Sequence, residues 1–477
     1  MFQTRRLARL AAAALAVFGV AALGAALVPR TAAAATTSGC AVSGPLPSGT
    51  TRMGRFLGVL PPVGHNAPRV ACAVQRASSV TQQSVGFSKP YNNKPPLLYN
   101  GGLVMGTGTP GAITITPIYW DPAGAFDPAY ESVVNGFISN VATDSGKLTN
   151  EFSVELQYGI NYQVSAGTPI VDTNPYPPNG CTPDTGAIYS DNSSFTGCLD
   201  DTQINQEIQS VVAAGSLPVD LAHLYMMYLP KGIETCYTSA DGAQRGGCSV
   251  NPADPKIGFC GYHSSVADGP NTLIYTDEPM PVYNSPIGWT CSPQYGPGNE
   301  SPNGQLDADV ELETAVHEII EATTDPLGTA WYDIRGAEIG DDCSYIYGGG
   351  FGGSPGALFD QTINGTHYFV QEMLSNQNFQ VKKATACIQA VNLPTAALKI
   401  KPGSPKVGVA ALLSANKSLG ATSYSWNFGD GSPAGSGMSV THAYTTAGTY
   451  TVVLTVTDLV GFQDTTATVS ASVVVKP

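Results

Sequence analysis

Residues 315–326 read AVHEIIEATTDP, with a His, a Glu beside it and a second Glu four residues after the His. In the longer stretch DADVELETAVHEIIEATTD (307–325), Leu312, Val316, Ile319 and Ile320 recur at the spacing of one helix face. Glu313, His317 and Glu321 make a stripe on a different face. Asp307 is a fair N-cap, acids in the first turn suit the positive end of the helix dipole, and Pro326 ends the run. The pattern predicts a helix that aims His317 and Glu321, one turn apart, in the same direction.

That geometry suits a divalent metal, which takes several donors at about 2 Å. In zincin metalloproteases the motif HExxH supplies two His ligands and a Glu that works on the attacking water. Here the second ligand position is Glu321, so the motif is HExxE. By itself it is a weak signal, because an acidic helix face is often just a solvated one. The next stretch, TDPLGTAWYDIRGAEIGDDC (324–343), adds Asp325, Asp333, Glu338, Asp341 and Asp342 beyond a Pro-broken turn. Glu338 or Asp341 is the expected third ligand, and Glu318 the expected general base. Calcium is the competing reading, since Asp307, Asp309 and Glu311 alternate in a way it tolerates. His263, in FCGYHSS (259–265), is read as a hydrogen-bond donor to the reacting group or an outer ligand; the alternative is a structural His beside a disulfide at Cys260.

Around this helix lies a chain of 477 residues, long enough for one large domain and a small one. Hydrophobic residues make up 43% and charged residues 12%, with 53 Gly and 36 Pro, which describes a loop-rich and strand-rich globular protein. Residues 1–35 have the layout of a signal peptide: Arg5, Arg6 and Arg9, an apolar run over 10–28, and an A-x-A site ending at Ala35. An uncleaved anchor is the alternative, because about 18 apolar residues span a bilayer. Cleavage would take four of the 22 Lys and Arg and none of the 36 Asp and Glu, leaving 18 against 36 and a charge of −18. So acidic a mature chain disfavours a nucleic-acid groove and adhesion to anionic lipid. All 10 Cys follow the signal, an even number in an exported chain, so disulfides are expected, with neighbours pairing: Cys40–Cys72, Cys181–Cys198 and Cys236–Cys248.

Residues 36–95 read as a Pro-, Gly- and Ser-rich leader. Over 96–392, strand patterns (ITITPIYW, 113–120; LAHLYMMYLP, 221–230; NTLIYT, 271–276) alternate with the helical YESVVNGFISNVA (130–142) and with long Gly-, Pro- and Cys-rich segments. From 393 to 477 the grammar changes to short β runs. Tyr424, Trp426 and Phe428 share one face in SYSWNFGDG, and Tyr450, Val452, Leu454 and Val456 share one in TYTVVLTVTD, the alternation of a sandwich. WNFGDG and HAYTTAGTYTVVLTVTD resemble the PKD family of immunoglobulin-like domains. The resemblance implies an accessory all-β module without catalysis; Trp426 and His442 themselves read as a core residue and a strand-edge residue.

The order and spacing of FCGYHSS, Pro302-Asn303, Asp307-Ala308-Asp309, HEIIEATTDPLGTAWYD and EIGDDC resemble the EXORDIUM, or phosphate-induced protein, family, with YNGGLVMGTGTPGAITITPIYW (99–120) similar to its opening strand region. The resemblance covers about 96–390. It implies matches at His317, Glu318, Glu321, Trp331, Glu338, Asp341 and Cys343, and a departure at Asp325, where plant members are expected to carry Asn before the Pro. It therefore favours Glu338 or Asp341 over Asp325 as a ligand, and implies a site more than a reaction.

The sequence thus leads to an α+β zincin-like domain with an HExxE helix, followed by an immunoglobulin-like sandwich. The expected function is that of a secreted, monomeric metal-dependent hydrolase, a peptidase acting on protein or peptide. It would hold one divalent metal, Zn first and Mn or Ca as alternatives, on His317, Glu321 and Glu338 or Asp341, with Glu318 and His263 in catalysis. The competing function is a non-catalytic extracellular or cell-wall binding protein, with a structural ion or none.

Overall fold

A computed structural model describes residues 59–60, 95–106, 111–238, 245–250, 258–283, 285–292, 301–348, 352, 358–380, 386–460 and 463–477. The signal peptide, nearly all of the leader and the Cys40–Cys72 pair lie outside the described residues. No helix among the described residues is long and apolar enough to cross a membrane.

The central element is a mixed seven-stranded sheet built from β1 (Val59–Leu60), β2 (Ile113–Trp120), β3 (Val164–Ala166), β4 (Ile170–Asp172), β5 (His223–Leu229), β6 (Gly261–Asp268) and β7 (Asn271–Pro279). The order is β1-β6-β7-β5-β2-β3, with β4 also on β2. Strands β7, β5, β2, β3 and β4 run parallel to their partners, and β6 joins β7 and β1 antiparallel. Parallel strands covered on both faces read as nearly continuous apolar runs, and ITITPIYW and HLYMMYL are of that kind.

Alternation along β2 sorts its side chains between two cores. Ile113, Ile115 and Tyr119 join Leu224, Met226, Tyr228 and Ile274 on the face that carries helices α1 (Pro128–Thr143) and α3 (Leu306–Thr324). Ile118 and Trp120 join Tyr225, Met227, Leu229 and Tyr275 on the other face, under helix α2 (Asp201–Ala214). Helix α2 starts on a capping box, with Asp200 and Gln203 exchanging side-chain to backbone bonds. Each fully buried Leu, Ile or Val contributes about 1.5–3 kcal/mol, and α3 places Leu312, Val316, Ile319 and Ile320 in this way.

Four disulfides among the described residues brace the irregular segments: Cys181–Cys198, Cys236–Cys248, Cys260–Cys291 and Cys343–Cys387. The first two are the neighbour pairs expected from spacing.

The zincin-like α+β architecture is not found. The described chain is mostly β and loop, with three α-helices among the described residues, and the HExxE helix does not floor an open cleft: every residue of it from Ala308 to Thr324 is buried. A five-residue motif specifies one helical turn, not the sheet order around it. The N-cap expectation also changes. Gln305, not Asp307, caps α3 by accepting the Ala308 N–H, and Asp307 instead takes the Tyr283 hydroxyl.

Toward the C-terminus, strands Lys399–Lys401, Ala411–Ser414 and Ser439–His442 form one sheet. Ser423–Asn427, Gly435–Ser436, Gly448–Val460 and Gln463–Val475 form the other. Trp426, Phe428, Val452, Leu454 and Val456 fill the core between them, as the alternation predicted. Trp426 Nε1 donates to Gly437 O at 2.9 Å, and His442 pairs with Asp430 at 2.7 Å.

Candidate metal centre

A helix enclosed on every side is normally apolar all round. Helix α3 instead buries Asp309, Glu311, Glu313, His317, Glu318 and Glu321. Glu321 is the hub of its C-terminal half. One turn back, His317 Nε2 lies 3.1 Å from Glu321 Oε1, without the alignment of a hydrogen bond. The same oxygen accepts the backbone N–H groups of Gly340 (3.1 Å) and Asp341 (2.9 Å). The second oxygen, Oε2, is buried without a hydrogen-bond donor and faces His263 Nδ1 at 3.8 Å.

His263 comes from β6, whose first residue, Gly261, packs so close to α3 that a Cβ there would stand 2.5 Å from the Thr314 methyl. Its register partner on β7 is Thr276, so it points to the α3 side of the sheet. His263 Nδ1 is 3.3 Å from Glu318 Oε2, and its Nε2 is 3.7 Å from Glu338 Oε1 and 3.4 Å from the Asp325 carbonyl. Two triplets therefore have metal-ligand spacing and share Glu321: His317, Glu321 and Asp341, and His263, Glu318 and Glu321.

All six expected site residues converge. His317, Glu318, Glu321 and Glu338 are 0% exposed and His263 is 3% exposed. Of the two candidates for third ligand, Asp341 falls in the His317–Glu321 triplet, while Glu338 turns to the far nitrogen of His263. Asp325 lies outside both triplets; its Oδ1 accepts the N–H groups of Thr329 and Ala330 at 2.6 Å each, and its Oδ2 is buried without a hydrogen bond. Asp307, Asp309 and Glu311 do not converge. Asp307 meets Tyr283, Asp309 takes Asn303 through backbone and side chain, and Glu311 is buried near Glu278 and Tyr130.

The electrostatics follow from burial. For His317, burial works against the charged form, but the Glu321 carboxylate outweighs it and holds the pKa above its ordinary value. Burial pushes His263 down to about 4 against the pull of Glu321. Burial and then the Glu321 and Glu278 carboxylates push Glu318 well above the carboxylate range. Burial opposes ionisation of Glu321 too, yet His317 holds it below its usual value. Among the described residues no Lys or Arg pairs with Glu318 or Glu321; Arg335, the neighbouring base, is taken by Asp333 and Asp342.

The residues fit a divalent cation. Donors about 2.1 Å from a tetrahedral ion are roughly 3.4 Å apart, and the separations within the cluster run from 3.1 to 3.8 Å. The unpaired Glu321 Oε2 and the Glu318 carboxyl kept from ionising are groups that a buried cation would satisfy.

Two contributors were not read from sequence. Gly340 is one: a Cβ there would lie 2.7 Å from His317 Nδ1 and 3.0 Å from Glu321 Oε1, so only Gly lets the EIGDDC loop close over the pair. Its one signal was the Gly inside that segment. Leu60 is the other. Its N–H donates to Glu318 Oε1 at 3.1 Å, its O accepts from Cys260 N at 2.7 Å, and its side chain is fully buried. No local signal marks a contact between residues 258 apart in sequence.

Comparison with known proteins bears on both parts of the chain. Residues 222–383 match the model of the phosphate-induced protein 1 conserved region, and residues 395–473 match the PKD domain. Protein EXORDIUM-like 5 of Arabidopsis thaliana is 27% identical over 226 residues, 40% of this chain and 55% of that protein. Protein EXORDIUM-like 3 of the same plant is 44% identical over 59 residues, 12% of this chain and 18% of that protein. The chain thus spans about half of the first relative and less than a fifth of the second.

Among solved structures, the PKD1 domain of Vibrio anguillarum Epp is 32% identical over 18% of this chain and 95% of its own, with a TM-score of 0.15. The PKD1 domain of the Vibrio cholerae metalloprotease PrtV is 29% identical over 18% of this chain and 100% of its own, also with a TM-score of 0.15. Around the buried cluster, then, this chain carries a phosphate-induced protein 1 conserved region and is similar to EXORDIUM-like proteins, and a PKD domain follows.

Proposed function

We propose that the protein is an exported metal-dependent hydrolase whose reaction centre is the cluster around Glu321, with protein or peptide as the substrate class. The observation that carries this reading is an enclosed helix that buries His317, Glu318 and Glu321 against His263, with no Lys or Arg among the described residues paired to the carboxylates. His317, Glu321 and Asp341 would hold the ion. One imidazole with two carboxylates is a hard donor set, which suits Zn²⁺ and also Mn²⁺ or Ca²⁺. A divalent cation held there supplies Lewis acidity toward a carbonyl and acidifies water. Burial and the Glu321 charge keep Glu318 protonated; with a cation offsetting that charge, Glu318 Oε2, beside His263 Nδ1, would accept the proton of the attacking water, and His263 would steady the carboxyl through the transfer. The disulfides support export into an oxidising compartment.

Glu318→Gln keeps the shape and the acceptor for the Leu60 N–H but removes the base. Its hydrolysis of casein or a peptide library is expected to fall about 10²–10⁴-fold, with bound metal unchanged. Loss of metal together with activity would make Glu318 a ligand instead. Because Leu60 covers Glu318, a chain carrying Leu60→Pro, which has no N–H to give, is expected to hydrolyse about 10-fold faster and to take up metal faster; unchanged rates would show that β1 does not cover the site.

The depth of the cluster also favours a second reading, an extracellular or cell-wall binding protein with a structural ion. No hydrolysis by the wild type or by Leu60→Pro from pH 4 to 9, with Zn²⁺ or Mn²⁺ supplied, decides for it.

A further inference from the structure

The α2 face of the central sheet, opposite the face that carries His263 and α3, holds a cleft of about 590 Å³. Its origin lies in β2. Ile113–Ile115 pair with β3 and Ile118–Trp120 with β4, so the neighbouring strand is interrupted between Ala166 and Ile170. Pro117, with no N–H to give, sits opposite that interruption. The gap opens onto the C-terminal turn of α2, and the walls include Thr116, Ile170, Asp172, Val211, Leu217 and Tyr225. The volume lies within the roughly 300–1,000 Å³ of small-molecule sites.

Asp172 is only 6% exposed. Its Oδ1 accepts the Asn174 N–H at 3.0 Å, while Oδ2 is buried and, apart from the neighbouring Glu207 carboxyl, meets no donor among the described residues. The charge beside it is of like sign: Glu207, which takes the Asn174 side-chain N–H at 2.7 Å. Among the described residues no Lys or Arg lines the cleft, and His223 Nδ1 is engaged by Asp220 at 2.7 Å. A desolvated carboxylate oxygen without a donor is costly. An anion would meet the Asp172 carboxylate, with Glu207 behind it, and a neutral apolar molecule would leave Oδ2 as it is. What satisfies the site is a cation on an apolar stem.

We propose that this cleft is a second ligand site, separate from the carboxylate–imidazole cluster, that binds a primary ammonium group on a short alkyl chain, with Asp172 Oδ2 as acceptor and Val211, Ile170 and Leu217 around the stem. Burial, and then Glu207, push Asp172 up to about 6, so the acceptor is charged at neutral pH. A free amine and a lysine side chain present the same chemistry to it.

The test is calorimetric titration of the whole chain at pH 7.5 with hexylamine, hexan-1-ol and hexanoate. Saturable hexylamine binding at least 10-fold tighter than hexanol, with none for hexanoate, is expected. Asp172→Asn should weaken hexylamine at least 10-fold, and Ala214→Trp, at an exposed wall position on α2, should abolish binding by filling the mouth. Should Asp172→Asn not fold, Ala214→Trp and the three probes still decide. Tighter binding of Nα-acetyl-lysine methylamide than of hexylamine would identify a protein side chain as the source, and the reverse a free amine. No saturable hexylamine binding, equal affinity for hexanol, or binding indifferent to Ala214→Trp would overturn the proposal.

Discussion

Glu321→Ala is expected to lower the thermal midpoint of the protein by about 10 °C. The Gly340 and Asp341 N–H groups both end on Glu321 Oε1, and His317 has that carboxylate as its counter-charge. Removing it leaves two backbone donors and a fully buried imidazole without their acceptor, which costs about 3–5 kcal/mol when a buried charged partner is lost. For a unit of this size each kcal/mol shifts the midpoint by roughly 2–4 °C. Glu321→Gln separates the two roles of the side chain. Its amide oxygen still accepts both N–H groups, so the midpoint should fall much less while the charge is gone. Calorimetry on both variants checks this; equal losses for Gln and Ala would mean that the charge, not the backbone bonds, holds the EIGDDC loop.

Stability should also fall as pH rises from about 4.5 toward 8. Burial pushes Glu151, Glu155, Asp277, Glu278 and Glu313 up to about 8 each. A carboxyl whose pKa is raised on folding binds its proton more tightly in the native state. Its contribution is full below the unfolded value near 4 and is lost as pH climbs through the folded one. With several such groups acting together, the midpoint of chelator-treated protein is expected to be of the order of 10 °C higher at pH 5 than at pH 8. A flat or rising profile over that range would show that these carboxyls find positive partners in solution.

The same residues show how far the sequence could be read. Helix α3 was legible because periodicity, a first turn rich in acid and Pro326 agree, and its i, i+4 spacing fixes the direction of His317 and Glu321 without any tertiary knowledge. The sandwich was legible because alternation at Tyr424–Phe428 and Tyr450–Val456 is itself a two-sided burial pattern. The sheet around α3 was not. A zincin-like frame was extrapolated from the motif, whereas strand order depends on pairings such as Ile274 with Leu224 and Thr114 with His223, which no local window contains. The acids of α3 read equally well as a solvated face, and only the packing of α1, β6 and β7 against them shows that they are enclosed. Leu60 lay in a segment without periodicity, and its contact with Glu318 exists only because β1 adds to the edge of β6.

The account stands on a common ion between His317 and Glu321, and metal content tests it most directly. Elemental analysis of the whole chain, purified without chelator and dialysed against Zn²⁺ or Mn²⁺, is predicted to find about one divalent ion per wild-type chain and none in the folded Glu321→Gln variant. A wild type that takes up no ion, or a variant that retains it in full, would contradict the account.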